Sequence, residues 1–93
     1  MVVSFEDAAA KLNMKKEKLA EEGLKAYLRA RLRELRAEIT KIYMRYGVFS
    51  LNELDEKINQ GELSESDTFD DFTMLDYLEG EEEKIRNIME NLK

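Results

Sequence analysis

Residues 28–46, LRARLRELRAEITKIYMRY, carry the strongest pattern in the chain. Leu28, Leu32, Leu35, Ile39, Ile42 and Tyr46 follow one another at spacings of four, three, four, three and four residues. That is an unbroken a/d heptad stripe, with Arg, Lys and Glu at most positions between. Burying a large apolar side chain contributes about 1.5–3 kcal/mol, whereas a helix-surface pair such as Arg31–Glu34 or Glu38–Lys41 contributes only about 0.2–0.5 kcal/mol. The stripe therefore governs the structure and the ion pairs do not. A helix with this face in water is unstable alone, so the stripe must meet either the C-terminal half of the same chain or a second copy. The expectation is an all-α helical hairpin or bundle built on one long central helix and assembled as a homodimer with coiled-coil-like packing.

Working outward, Ser4 and Asp7 have capping-box spacing, with Asp7 in the place usually held by Glu or Gln. Phe5, Ala8, Ala9 and Leu12 follow at helical spacing, and Asn13 tolerates the left-handed conformation that ends a helix. The central helix is predicted from near Lys15 to Tyr46, with Gly23 inside it marking a bend or a close packing contact. Gly47 follows Tyr46 as a terminating residue. Ser50 and Glu53 then form a capping box, with Phe49 placed to staple onto Leu54. Leu51, Leu54 and Ile58 point inward on this short helix, which Gly61 stops. Glu62 to Thr68 reads as an acidic loop. Thr68 and Asp71 open a last helix with Phe72, Leu75, Leu78, Ile85, Ile88, Met89 and Leu92 inward, kinked at Gly80 or split at Glu79–Glu81.

Ninety-three residues form a single domain, 1–93, with 43% hydrophobic and 39% charged residues. The absence of Cys and His excludes disulfides, thiolate or imidazole metal sites, and Ser-His-Asp or cysteine nucleophile chemistry. No apolar run approaches the roughly 20 residues that span a bilayer, and no basic-then-apolar leader opens the chain, so a cytoplasmic protein without membrane association is expected. The net charge of −6 conceals a polarity. Residues 1–46, with the short and the long helix, hold eleven basic and seven acidic residues, a net of +4. Residues 47–93, with a short helix, a loop and the C-terminal helix, hold four basic and fourteen acidic residues, a net of −10. Such asymmetry points to two different partner surfaces, or to mutual neutralisation within the fold.

Three constellations bear on chemistry. Residues 5–24 fit a helix-turn-helix template through Ala8, Ala9, Leu12, Met14 and Leu19, which would place Lys15, Lys16 and Lys18 as DNA contacts. Glu17, Glu21 and Glu22 share that second helix and repel phosphate, so nucleic-acid binding is not the favoured reading. Arg29, Arg33 and Arg36 flank the leucine stripe, where coiled coils place charges that select a partner. Glu53 with Glu56 and Glu79 with Glu82 form two E-x-x-E pairs of the kind that all-helical magnesium-dependent nucleotide pyrophosphohydrolases use, but no phosphate cradle accompanies them. An enzyme is not expected, and neither is a cofactor or a metal. Tyr43, Met44, Tyr46, Phe69, Phe72, Met74 and Tyr77 read as core or interface.

The segments KEKLAEEGLKAYLRARLRELRAEI (16–39), RYGVFSLNELDEKINQGEL (45–63) and DYLEGEEEKI (76–85) resemble small uncharacterised archaeal and bacterial proteins that look like antitoxin components of toxin–antitoxin pairs. The resemblance covers about Asp7 to Ile85. It implies a dimerising N-terminal half and a C-terminal segment that wraps or blocks a basic, toxin-like protein, with Phe69, Phe72, Tyr77, Glu81, Glu82 and Glu83 as partner contacts. It brings no catalytic residue. A DNA-binding regulator and the magnesium-dependent enzyme are the alternatives.

Overall fold

The computed structural model describes residues 3–92. Its helices are α1 (Phe5–Lys11), α2 (Lys16–Tyr46), α3 (Leu51–Asn59) and α4 (Glu65–Asn91), with no strand among the described residues. The protein is all-α and built on one long central helix. The chain divides into two compact units, Met1–Ala30 and Arg31–Lys93, with the division inside α2.

In the first unit, Ser4 Oγ accepts from the Asp7 amide at 3.1 Å and so caps α1. The helix closes at Asn13, whose φ of 56° lies in the left-handed region. The Met14 and Asn13 amides donate back to Ala9 O at 2.9 Å and Ala10 O at 3.1 Å, the paired bonds of a Schellman ending. Ala9 and Leu28 are buried. Gly23 has nothing within 4 Å of the space a Cβ would occupy, so of the bend or close packing contact expected there, no close contact is made.

In the second unit the same terminating device appears twice. Val48 N donates to Tyr43 O and Glu62 N to Lys57 O, both at 3.0 Å. The intervening Gly47 and Gly61 have φ of 66° and 80°, where a Cβ is strained. These reversals let α2, α3 and α4 share one core. Leu35, Ile39, Leu54 and Leu75 are fully buried, joined by Ile42, Val48, Leu78 and Ile85. Leu35, Ile39 and Ile42 are therefore covered within one chain and need no second copy to shelter them. Side-chain bonds join Arg36 to Glu82, Tyr43 to Glu79 and Tyr46 to Asp71. The numbers rise along α2 as they fall along α4, so the two helices run antiparallel.

Several expectations fail. Phe49 does not staple onto Leu54, because Leu54 is buried while Phe49 is 83% exposed. α4 starts before Thr68, with Ser64 accepting from the Asp67 amide at 3.4 Å. Thr68 instead sits inside the helix, buried, its Oγ1 donating to Ser64 O at 2.8 Å. The earlier cap adds a turn of backbone bonds and takes the Thr68 methyl into the core. α4 continues through Gly80 without a break. A glycine costs about 1 kcal/mol there, less than burial of Leu75, Leu78 and Ile85 on either side contributes. Ile88 is exposed, since Ile85 and Met89 take the inward face that three-residue spacing leaves.

One carboxylate ties the three helices together. Glu79 Oε2 accepts from the Tyr43 hydroxyl at 2.6 Å and from the Leu51 amide at 3.0 Å, so α4 caps a free donor at the start of α3. Burial and the bond to Glu79 push the Tyr43 phenol up to about 12. Asp71 accepts from the Tyr46 hydroxyl and from Arg45 Nη1, the latter at 2.6 Å, which holds its carboxyl below the usual range. The Tyr46 phenol is raised, first by its bond to Asp71 and then by burial.

Three outcomes follow from this packing. Leu35→Ala is expected to cost about 2–5 kcal/mol in urea unfolding, while Met44→Ala, on the exposed side of the same helix, costs less than about 0.5 kcal/mol. Gly80→Ala should stabilise by about 0.5–1 kcal/mol, raising the melting temperature; a fall would mean that α4 needs a bend there. A folded-state pKa above the unfolded one stabilises below the lower value and is lost as pH rises. Tyr43 thus weakens the fold between pH 10 and about 12. Asp71, with its pKa lowered, weakens it as pH falls below the ordinary carboxylate range. Unfolding free energies against pH should show Tyr43→Phe flattening the alkaline limb and Asp71→Asn the acid limb.

Candidate functional site

The turn between α2 and α3 creates an unusual surface. Val48 is drawn into the core as the residue that closes the Schellman ending, and Ser50 adopts an extended φ of −160° to cap α3. Between these two constrained residues Phe49 is left 83% exposed. Its backbone is nevertheless held, because its amide donates to the Glu53 carboxylate. Met44 is 78% exposed and lies on the side of α2 opposite the buried stripe. Together with Arg36, Thr40, Tyr43, Gly47 and Val48 these two residues line a groove of about 500 Å³.

Acidic concavities border this groove on two sides. Tyr43 also lines a hollow with Asp76, Glu79, Glu82 and Glu83. Phe49, with Gly47 and Val48, also lines one with Glu53, Glu56 and Glu62. Part of this charge is already used. Glu82 accepts from Arg36 at 3.0 Å and from Arg86 at 3.4 Å, and Lys57 Nζ donates to Tyr46 O at 3.0 Å. Asp76, Glu83, Glu56 and Glu62 have no ion-pair partner among the described residues. The surface can therefore accept cationic groups around an apolar floor.

The residues expected to meet a partner are not gathered into one patch. Phe69 and Tyr77 are 61% and 56% exposed, Phe69 lining a hollow with Asp55 and Asn59 of α3, while Phe72 is half-buried. Glu83 is exposed and Glu81 pairs with Lys84 at 2.8 Å, which raises the Lys84 pKa. From Phe69 to Glu83 the helix rises roughly 21 Å, too far for one small contact. Along the stripe, Leu28, Leu35, Ile39 and Ile42 are buried, and Leu32 and Tyr46 are half-buried.

Lys15, Lys16 and Lys18 are exposed at the start of α2. Lys16 lies 3.8 Å from Glu6 and Lys18 3.2 Å from Glu22. On the next turn Lys25 pairs with Glu21 at 3.1 Å and lowers its pKa. Among the described residues no three carboxylates gather as a metal site would require. Glu79 and Glu53 of the two E-x-x-E pairs accept from backbone amides, and Glu82 from arginines.

Neither the exposure of Phe49 nor the capping of another helix by Glu79 is legible from local spacing. The position of Phe49 before Ser50 points to a staple on Leu54 instead. Glu79 lies 36 residues from Tyr43 and 28 from Leu51, beyond any local spacing rule. For Met44 a signal existed, since it falls midway between Ile42 and Tyr46, off the stripe.

No helix among the described residues is long and apolar enough to cross a membrane. No solved structure matches the chain. It is 34% identical over 77 residues to the Uncharacterized protein MJ0235 of Methanocaldococcus jannaschii, a match covering 83% of this chain and 90% of the relative. Residues 1–93 match the Uncharacterized protein MJ0235 family in full, and the chain belongs to that family.

Proposed function

We propose that this chain is a non-catalytic interaction module that engages a basic partner protein through its acidic C-terminal half, neutralising or scaffolding it as an antitoxin does. The observation that carries this reading is the acidity of Asp76, Glu83, Glu56 and Glu62, without ion-pair partners among the described residues, beside the exposed Phe49 and Met44. An exposed aromatic and a methionine on a fixed backbone are suited to a partner's apolar residues. Unpaired carboxylates around them favour positive charge and speed its encounter. The non-catalytic part is supported by the lack of Cys and His and by the commitment of Glu79, Glu82 and Glu53 to donors within the fold. The nucleic-acid reading draws less support, because Lys16 and Lys18 are each paired with a carboxylate.

In the native host, the tagged chain is expected to recover a basic protein in fixed stoichiometry. Reconstituted from purified components, that complex should form about tenfold more slowly when salt rises from roughly 50 to roughly 300 mM. A stoichiometric partner of acidic character, or association indifferent to salt, overturns the reading.

A further inference from the structure

The exposed apolar side chains are not spread evenly over the second unit. Met44 and Phe49 both line one groove, whereas Phe69 lines separate hollows at the start of α4 with Ser64 and Glu65 and Tyr77 is exposed further along that helix. The groove is also continuous with its surroundings. Tyr43 is common to it and to the hollow holding Asp76 and Glu83. Gly47, Val48 and Phe49 are common to it and to the hollow holding Glu56 and Glu62. An apolar floor thus adjoins two acidic rims. The cations at hand are engaged within the fold: Arg36 of the floor and Arg86 of one rim are held by Glu82 at 3.0 and 3.4 Å, and Lys57 of the other rim donates to Tyr46 O at 3.0 Å, so each rim keeps an excess of carboxylates.

Resting on the interaction reading above, we propose that this groove receives a cationic segment of the partner whose bulky apolar side chain seats against Met44 and Phe49. Its flanking Lys or Arg residues meet Asp76 and Glu83 on one rim and Glu56 and Glu62 on the other. The charge pattern selects this occupant over two others. A second copy related by a two-fold axis would bring the same patch against itself, acid rim to acid rim, which is repulsive. A nucleic-acid backbone would meet the same repulsion. A cationic segment gains at both rims, and its apolar anchor covers two large side chains now in water. The segment is recognised by its amphipathic character, not by charge alone, because the rims by themselves offer exposed carboxylates that salt screens readily.

The test uses the full chain and a labelled synthetic peptide with leucines on one helical face and lysines on the other, read by fluorescence anisotropy. A second peptide of equal charge, with the leucines replaced by serine, reports binding to charge alone. The amphipathic peptide should bind at least about tenfold tighter than the serine peptide. The variant Met44→Ala/Phe49→Ala should remove that advantage, and Phe69→Ala/Tyr77→Ala should leave it within about twofold. All four side chains are exposed, so thermal melts should show each variant folded. If the two peptides bind equally, or if the α4 pair and not the groove pair matters, the groove assignment is overturned while an acidic-half partner still stands. If neither peptide binds, both readings fall. If sedimentation shows self-association that Met44→Ala/Phe49→Ala disperses, the occupant is a second copy and the proposal is overturned.

Discussion

Burial of Leu35, Ile39 and Ile42 from α2 against the inward faces of α3 and α4 is the interaction on which residues 31–93 depend. Each fully buried side chain of this size contributes about 1.5–3 kcal/mol, and eight positions of the unit are buried apolar residues. The ion pairs that decorate the surface, such as Lys84 with Glu81, are exposed and contribute a fraction of that each. Covering the stripe requires α4 to return along α2. That return requires two reversals, and Gly47 and Gly61 supply them with backbone angles a side chain would strain.

Apolar burial sets which faces meet but tolerates small slides between helices. Polar contacts narrow that freedom. Glu79 accepts from a phenol on α2 and from the first free amide of α3, so a shift of either helix breaks a directional bond at a half-buried position. Asp71 does the same near the end of α2 through Tyr46 and Arg45. The opposite charges of the two halves are thus partly consumed inside the fold, at Arg36 with Glu82 and Arg45 with Asp71. Fourteen acids against four bases in residues 47–93 cannot all be met this way, and the surplus faces solvent.

What was legible in the sequence is local. The ends of α1, α2 and α3 were readable at Asn13, Gly47 and Gly61 because a left-handed residue after a periodic run has few other uses. The buried stripe was readable because its period matches the helix. Two failures came from local signals in competition: Ser64 and Thr68 both look like caps, and Gly80 looks like a break when its neighbours' burial is unknown. The groove was not legible, since it needs the turn geometry that sends Val48 inward and Phe49 outward. The two acidic rims come from helices that only the tertiary fold brings beside that turn.

The exposure of Phe49 is itself a consequence of the folding devices around it. Closing α2 needs an apolar residue directly after Gly47, and Val48 meets that need. Capping α3 needs Ser50 extended, with its oxygen on the Glu53 amide. The single residue between them has its amide bound by Glu53 and its side chain directed away from the core that Val48 enters. Any residue at position 49 would be exposed, so the fold does not require an aromatic there and water disfavours one. A small or polar residue would serve the turn as well. Phe49, beside Met44 and next to two acidic hollows, is thus an exposed aromatic that the turn does not require and that stability does not explain.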